Sequence, residues 1–503
     1  MEIAILENEY WYGGCVKNGT KMPLSAKSNI VVDTTINMTP NQASPLFVSS
    51  KGRYIWNKEG YKAVFQNGTI SVPDTCEVSE AFGNLKLGYL EAMKRYFPFR
   101  GETPALALFE NPIYNSWIEL TYYQNQQDIL KYAKGIVENG MPTGVLMIDD
   151  GWSEYYGDWT FHSGKFPNAK QMLDELHAMG FQVMVWVCPF IVADSLKFRE
   201  ARDLDILIKN EADEPYIVYW WNGYSAVLDM SNPKAVNWLK KQFDVLQELG
   251  VDGFKFDAGD SMHYVEKNKT YANTSANEQS HCWADFGRRY EYNEFRVTFA
   301  AGGEPILQRL CDKRHSWDAE GVGGLLPDAL LQGITGHPFS CPDMIGGGEY
   351  LNFQSVMDGK LDEELFLRHC QIATLMPAMQ FSAAPFRVLS KECFANILKC
   401  ISLREKYISY IMECVKEAGN TGEPIIRYMA YEFPDEPVEE ILDQFMLGEK
   451  YLVAPIVVKG VTGKNVYLPK GKWFRGGKEI SSTGEYMWCD ETEDMLILFE
   501  KVG

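Results

Sequence analysis

The pattern of apolar and polar positions divides the chain into three stretches. The first stretch carries short apolar and β-branched runs separated by Gly, Asn and Pro, namely NIVVDTTI, PLFVSS, GRYIWN and YKAVFQ. Short strands separated by turn-forming residues are typical of a β-sandwich. We therefore predict an N-terminal β-sandwich domain over residues 1–103, with a proline-containing linker at its end, PFRGETPALALFENPI.

A helix followed by a strand recurs in the middle of the chain. Three amphipathic stretches end on glycine, at Gly140, Gly180 and Gly250. Glycine readily adopts the left-handed conformation that ends a helix. Each stretch is followed by an apolar, β-rich run, and these runs are TGVLMIDDGW, FQVMVWVCPFI and VDGFKFDAGD. Amphipathic helices that alternate with such runs predict parallel βαβ units, and hence an α/β fold.

The length of this middle stretch favours one of two parallel-sheet folds. Roughly 300 residues suit a (β/α)₈ TIM barrel with insertions. The alternative, an open doubly wound sheet, usually carries a glycine-rich phosphate-binding turn after a strand, and no predicted strand is followed by one. We therefore predict a (β/α)₈ barrel over residues 104–420. Strand-like runs beyond it predict a smaller C-terminal β domain over residues 421–503, namely DQFMLGEKYLVAPIVVKG, NVYLPKGKWFRG and MLILFE.

Composition and charge narrow the classes of partner. The formal net charge of −20 argues against nucleic acid and anionic membranes, which require a basic surface. The first residues, MEIAILENEYW, lack the features of a signal peptide, and no apolar run reaches the ~18 residues of a spanning helix. Eleven cysteines without a C-x-x-C pair indicate reduced thiols. We expect a cytoplasmic protein without nucleic-acid or membrane partners.

Charged and aromatic residues stand at the predicted strand ends. Function in a barrel collects at the carboxyl ends of the strands, and the residues there are Asp149, Asp150, Trp152, Trp186, Lys255 and Asp257. Carboxylates supply the acid, base or nucleophile of glycoside hydrolysis, and aromatic rings offer flat apolar faces to a sugar ring. Lys255 lies on the same strand face as Asp257, and its charge favours the ionised carboxylate that a nucleophile requires.

Structural interpretations of the same residues stay open. Asp149 or Asp150 can be a helix N-cap, Lys255 and Asp257 can form a structural ion pair, and the paired tryptophans Trp220 and Trp221 can be part of the core. The histidines lack the H-x-H or H-E-x-x-H spacing of a metal site. There is also no G-x-S-x-G elbow and no Walker loop. We predict neither a metal nor a cofactor.

Six blocks of the middle stretch resemble glycoside hydrolase family 31, and within it the α-galactosidase branch. They keep the family's order and spacing across about residues 105–420, and they are WWNGYSAVLDMSNPKA, GFKFDAGD, FRVTFAAG, LCDKRHSW, GHPFSCPDMIGGG and LMPAMQFS. The resemblance implies a barrel between two β domains that hydrolyses terminal α-D-galactosides with retention and without a cofactor. A small-molecule carbohydrate is the partner it implies, and a homo-oligomer is compatible with it.

The resemblance also implies roles for individual residues. Asp257 matches the nucleophile and Asp312 the general acid/base. Arg296, Trp221 and Lys255 match contacts to the sugar. Three further carboxylates match by position, two as contacts to distal hydroxyls and one as a structural group near the site: Asp149, Asp150 and Asp343.

The chain departs from the α-glucosidases of the same family. Those carry W-x-D-M-N-E around the nucleophile and W-x-G-D-N around the acid, whereas Lys255 stands here in place of the tryptophan. The CDKRHSW block leaves Asp318 and Glu320 as rivals to Asp312, and PAMQFS lacks the glucosidase histidine. An α-glucosidase or α-xylosidase is the alternative within the family. A non-catalytic carbohydrate-binding protein with a degenerate barrel is the alternative in another class.

Overall fold

The N-terminal part of the chain is a sandwich of two antiparallel sheets. The structure, a computed structural model, describes residues 1–357, 361–491 and 495–502. One sheet consists of Glu2–Ala4, Thr69–Ser71, Lys62–Gln66 and Ile30–Asp33, and the other of Trp11–Cys15, Ala43–Ser49, Tyr54–Trp56 and Glu77–Val78. The rings of Phe47 and Phe65 pack between the sheets with centroids 5.5 Å apart. The predicted β-sandwich is confirmed.

One helix, Leu85–Tyr96, lies inside the stretch that was predicted to contain only strands. The Asn84 side chain caps it by accepting a backbone hydrogen bond. Leu85, Tyr89 and Met93 are all buried and follow one another at the four-residue spacing of a single helix face. This amphipathic signal was available in the sequence and was missed.

The middle of the chain forms a closed parallel barrel. Its nine-stranded sheet contains, in chain order, Ile113–Asn115, Val145–Ile148, Gln182–Val187, Gly253–Phe256, Tyr292–Phe295, Leu307–Arg309, Ser340–Cys341, Met344–Ile345 and Gln380–Phe381. Ser340–Cys341 pairs with Leu307–Arg309, and Met344–Ile345 pairs with Gln380–Phe381. These two short strands are halves of one strand interrupted at 342–343, so the ring closes with eight positions. The predicted (β/α)₈ barrel is confirmed, and we number its strands one to eight, the interrupted strand being the seventh.

Helices and a hairpin surround the barrel strands. The three predicted helices are present as Gln126–Glu138, Ala169–Ala178 and Pro233–Leu249. The others in this region are Ala107–Glu110, Ser116–Leu120, Leu196–Asp203, Ala276–Gly287, Val322–Ile334, Tyr350–Met357, Glu363–Thr374, Pro385–Val388 and Lys391–Thr421. After strand three, a small antiparallel sheet consists of Phe190–Ile191, Gly223–Val227 and Ile217–Trp220. Short 3₁₀ helices lie at Thr121–Tyr123 and Ser261–Tyr264 in this region, and another lies at Val16–Lys21 in the N-terminal sandwich.

The C-terminal part is a second antiparallel β unit. A six-stranded sheet consists of Ile426–Arg427, Phe445–Leu447, Tyr451–Val453, Leu498–Val502, Gly471–Arg475 and Lys478–Ser482. A two-stranded sheet pairs Gly463–Leu468 with Glu485–Asp490, and one short helix is Met429–Glu432. The predicted C-terminal β domain is confirmed. Residues 492–494 and 503 of its predicted range lie outside the described residues.

The N-terminal sandwich packs against the end of the barrel where the strands stop. The Gln42 side-chain amide donates hydrogen bonds to the carbonyl oxygens of Arg296 and Arg309, at 2.6 and 2.9 Å. Gly19 approaches the barrel so closely that a Cβ atom there would lie 2.4 Å from the carbonyl carbon of Pro327. The sequence left open whether this domain covers the barrel mouth. Lys17 and Pro40 of this domain line the cavity at the barrel mouth, so the domain forms part of the mouth.

All eleven cysteines carry free thiols. None of the helices in the described part of the chain is long and apolar enough to cross a membrane.

Candidate active site

A cavity of about 690 Å³ lies at the carboxyl ends of the barrel strands. It is lined by all seven residues that were predicted to catalyse or to bind sugar, namely Asp149, Asp150, Trp221, Lys255, Asp257, Arg296 and Asp312. Because the carboxyl ends of parallel strands meet at one mouth of a barrel, residues far apart in the chain converge there. Strand two leads to the aspartate pair at 149–150, strand four to Asp257, strand five to Arg296 and strand six to Asp312.

Three donors fix the Asp257 carboxylate. Arg296 Nε donates to Oδ1 at 3.0 Å, and Trp186 Nε1 donates to Oδ2 at 3.0 Å. The backbone N–H of Ala258 also donates to Oδ1, at 2.9 Å, from a residue in the left-handed region with φ of 59°. Burial raises the pKa of Asp257, but the charges of Arg296 and Lys255, together with the hydrogen bonds from Trp186 and Ala258, outweigh it and hold the pKa well below its usual value. Asp257 is therefore an ionised, oriented carboxylate.

Arg296 is held in turn by groups on several elements. Its Nη2 donates to both oxygens of Asp260, at 2.8 and 3.1 Å, and its Nη1 donates to the Pro40 carbonyl oxygen at 2.9 Å. The guanidinium carbon lies 5.6 Å from the centroid of the Trp221 ring. Asp260 was not among the predicted site residues, although it belongs to the GFKFDAGD stretch.

Lys255 makes its ion pair with Asp149 rather than with Asp257. Lys255 Nζ lies 2.6 Å from Asp149 Oδ2, and the two side chains are 4% and 3% exposed. Burial lowers the pKa of Lys255, but the charges of Asp149, Asp257 and Glu294 together raise it by more, so the pKa lies above its usual value and the ammonium stays protonated. The charge of Lys255 still acts on Asp257. The pair forms a charged floor beneath the cavity.

Asp150 lies beside this floor in a buried position. Asn222, at the turn of the hairpin after strand three, donates from Nδ2 to Asp150 Oδ2 at 2.7 Å. Burial raises the pKa of Asp150 to about 7, and the neighbouring charges of Asp149 and Asp257 act in the same direction. A carboxyl group with this pKa can both accept and donate hydrogen bonds near neutral pH.

Arg309 connects Asp312 to buried carboxylates below it. Arg309 Nη1 donates to Asp312 Oδ1 at 2.9 Å and to Asp343 Oδ1 at 2.5 Å, and its Nε lies 3.3 Å from Glu294 Oε1. The Asp343 side chain is fully buried and also accepts from the Lys313 backbone N–H at 2.7 Å. Asp312 is the member of this cluster that reaches the cavity, with 37% of its side chain exposed.

The two rivals of Asp312 occupy different places. Glu320 lines the cavity, but Lys17 donates to its Oε2 at 2.5 Å. That hydrogen bond lowers the pKa of Glu320, which makes it a poor proton donor. Asp318 lies off the cavity lining and accepts hydrogen bonds from the Ser316 hydroxyl and the Glu320 backbone. The sequence carried no signal for Lys17, which is 303 positions from its partner.

The tertiary structure divides the remaining candidates between site and core. Trp186 lines the cavity, whereas Trp152 is buried and donates from Nε1 to the Trp186 carbonyl oxygen at 2.7 Å. Trp221 is 49% exposed and lines the cavity, so the core-packing interpretation applies to its buried neighbour Trp220. Ser382, in the block that lacks the glucosidase histidine, is buried and donates to a backbone carbonyl away from the cavity.

An aromatic cluster at the rim was missed in the sequence. Trp117, Tyr122 and Tyr350 all line the cavity. The ring centroids of Trp117 lie 5.1 Å from those of Tyr122 and 5.3 Å from those of Tyr350. Trp117 and Tyr122 lie five residues apart in adjoining short helices, whereas Tyr350 comes from a distant segment, so no single local motif joins the three. Across the described ranges there is no group of three or more His, Cys, Asp or Glu residues that could hold a metal ion.

A closed (β/α)₈ barrel with carboxylates at the carboxyl ends of its strands has the arrangement that a glycoside hydrolase requires, and comparison with known proteins gives the family. The family model described as the Glycosyl hydrolases family 31 TIM-barrel domain matches residues 113–414. The model for the Glycosyl hydrolase family 31 C-terminal domain matches residues 422–503. The chain belongs to glycosyl hydrolase family 31.

Its relatives within the family differ in name and in length. The myogenesis-regulating glycosidase of Mus musculus is 34% identical over 396 residues, covering 76% of this chain and 54% of that protein. Alpha-xylosidase XylQ of Lactiplantibacillus pentosus is 26% identical over 486 residues, covering 90% and 62%. The GH31 dextranase of Flavobacterium johnsoniae, complexed with glucose, superposes with a TM-score of 0.87 at 20% identity, covering 100% of this chain and 66% of that one. The chain thus spans little more than half the length of these curated relatives, and the structural likeness supports the fold alone.

Proposed function

We propose that this chain is a retaining, exo-acting α-galactosidase that hydrolyses terminal α-D-galactosides through a covalent glycosyl-enzyme. The observation that carries the proposal is the pairing of two carboxylates in one cavity. Asp257 is ionised and held at both oxygens, and the more exposed Asp312 lines the same cavity. Two carboxyl groups in unlike environments are the working parts of a retaining glycosidase.

In the proposed reaction Asp257 attacks the anomeric carbon of the sugar. Asp312, in its protonated form, gives its proton to the leaving oxygen as the bond to that oxygen breaks. A β-galactosyl ester on Asp257 results. Asp312, now a carboxylate, removes a proton from water, and the water attacks the anomeric carbon to release α-galactose. Arg296 and Trp186 orient the nucleophile by the hydrogen bonds that they donate to it.

The floor of the cavity supports galactose as the sugar. Lys255 and Asp149 present an ammonium and a carboxylate there, beside the Asp150 carboxyl group. The 4-hydroxyl is axial in galactose and equatorial in glucose, so it points in a different direction in the two sugars. A pocket that recognises galactose therefore needs polar groups in a different place. Lys255 stands where the glucosidases of the family keep a tryptophan. The buried pair also closes the floor, which supports attack on terminal sugars only.

A panel of p-nitrophenyl α-glycosides tests the proposal. We expect kcat/KM for the α-galactoside to exceed that for the α-glucoside and the α-xyloside by at least ~10-fold, or about 1.4 kcal/mol. Relatives named α-xylosidase and α-glucosidase are among the matches, so a preference for either of those sugars would reassign the substrate within the family. If no glycoside is hydrolysed, although galactose binds, the non-catalytic alternative replaces the enzyme.

A further inference from the structure

An ion pair between two domains lies at the cavity mouth and has no part in the reaction described above. Lys17 Nζ lies 2.5 Å from Glu320 Oε2, and both side chains line the cavity that contains Asp257 and Asp312. Lys17 belongs to the short helix Val16–Lys21 of the N-terminal sandwich. Glu320 belongs to the barrel loop that follows Asp312. The mouth is thus formed by charged groups from both domains.

The pair lies on the side of the cavity where the leaving group must be. Asp312, as the proposed proton donor, has to contact the oxygen of the leaving group. Cys311, next to Asp312 in the chain, lines the same wall. The backbone N–H of Arg314, two residues after Asp312, donates to the Glu320 carbonyl oxygen at 2.8 Å, which places Glu320 and its partner Lys17 near this wall. The floor pair of Asp149 and Lys255 lies deeper, on the side of the galactose unit that Asp257 attacks.

We propose that Lys17 and Glu320 bind the leaving group of the substrate, and that this leaving group is a hydroxyl-rich sugar. The inference rests on the proposed function. The ammonium offers three donors and the carboxylate several acceptor sites, and the side chains are 24% and 55% exposed, so hydroxyl groups can reach both. An alkyl or lipid leaving group would displace water from the two charges and would offer no hydrogen bonds in place of those lost.

The alternative is that the pair only clamps the two domains together. Exposed ion pairs contribute little to stability. The domains are also joined by the buried hydrogen bonds of Gln42 and by the close packing of Gly19 on Pro327. Joining the two domains therefore explains the presence of this ion pair at the mouth poorly.

Two substrates with the same sugar and different leaving groups test the inference. In α-galactosyl fluoride the leaving group is too small to reach the pair, whereas an α-1,6-linked galactosyl-glucose disaccharide reaches it. We expect Lys17→Met and Glu320→Gln each to lower kcat/KM for the disaccharide by ~10-fold, the effect of losing one charged hydrogen bond, and to lower it far less for the fluoride. The control is an exposed pair in the C-terminal sheet, Lys472 and Glu479, 2.9 Å apart, where Lys472→Met should leave both substrates unchanged.

An exchange of the charges separates binding from clamping. The double variant Lys17→Glu/Glu320→Lys keeps an ion pair between the domains but exchanges donor and acceptor. This variant would restore an ion pair that only joins the domains, but it would not restore a binding site for the leaving group. Equal losses on the fluoride and the disaccharide, or wild-type disaccharide hydrolysis by the exchanged variant, would overturn the inference.

The deciding quantity is the ratio of kcat/KM for the disaccharide to kcat/KM for the fluoride, two substrates with the same sugar. If the wild-type protein hydrolyses α-glucosyl fluoride and not α-galactosyl fluoride, the galactose assignment fails. The same ratio is then measured with the matching glucosyl disaccharide, and it still decides the role of Lys17 and Glu320.

Discussion

Lys255 Nζ lies 2.6 Å from Asp149 Oδ2, and hardly any of either side chain is exposed. The two residues come from barrel strands four and two, with strand three between them. A buried ion pair costs solvation on both sides, and its members depend on each other. The pair therefore links the stability of the barrel mouth to the charge of the proposed sugar site.

Replacing Lys255 by methionine should destabilise the protein. The change leaves the Asp149 carboxylate buried without its partner, and breaking a buried pair in this way costs about 3–5 kcal/mol. Urea unfolding of the wild type and of Lys255→Met measures the difference. The double variant Lys255→Met/Asp149→Leu removes both charges and should regain most of the loss. A single variant as stable as the wild type would show that the pair contributes nothing.

Replacing Asp257 by alanine should abolish turnover of every substrate, however good its leaving group. The change removes the attacking carboxylate, and loss of a nucleophile lowers kcat by ~10⁴-fold or more. Azide can enter the vacated space and attack α-galactosyl fluoride from the same face, so β-galactosyl azide should form. Product analysis by NMR checks this outcome. Substantial hydrolysis by the variant without azide would remove Asp257 from the role of nucleophile.

Replacing Asp312 by alanine should affect substrates in proportion to their need for a proton. Poor leaving groups should lose ~10²–10⁴-fold in kcat/KM, whereas dinitrophenyl galactoside should retain most of its glycosylation rate. Azide should then attack the accumulated β-linked intermediate and yield α-galactosyl azide. A plot of kcat/KM against leaving-group pKa gives the result. Asp318→Asn, off the cavity lining, is the control and should keep the wild-type slope. Equal losses for all substrates would contradict the proposed role.

The stability of the protein should depend on pH through Asp150. Its pKa rises from 3.8 to about 7 in the folded state because it is buried. Between these values the folded state holds a proton that the unfolded state has lost, so this group's contribution to stability falls as the pH rises from about 4 to 7. Asp150→Asn keeps the neutral shape and does not titrate.

Urea unfolding of both proteins at several pH values between 5 and 8 tests this expectation. The free energy of unfolding of the wild type should fall relative to that of Asp150→Asn as the pH rises, and the difference should level off above pH 7. A difference that does not change with pH would mean that Asp150 stays ionised in the folded protein.

The sequence by itself determined which residues stand at the strand ends and that the strands are parallel. Helices that end at glycine and apolar runs that end in aspartate are local patterns. They were sufficient to place Asp149, Asp150 and Asp257 at one end of a (β/α)₈ barrel, because that end is common to all strands, whereas Asp312 was singled out by the family resemblance. The resemblance to family 31 added their proposed roles.

Only the tertiary structure decided which charged groups meet. Strand alternation places Lys255 and Asp257 on one face, but the partner of Lys255 is Asp149, because the pairing of strands two to four brings that carboxylate within 2.6 Å. Lys17 reaches the cavity because the N-terminal domain packs on the barrel, a contact between residues 303 positions apart. Contacts of this range follow from the closure of the barrel and the docking of domains, and neither leaves a local pattern in the sequence.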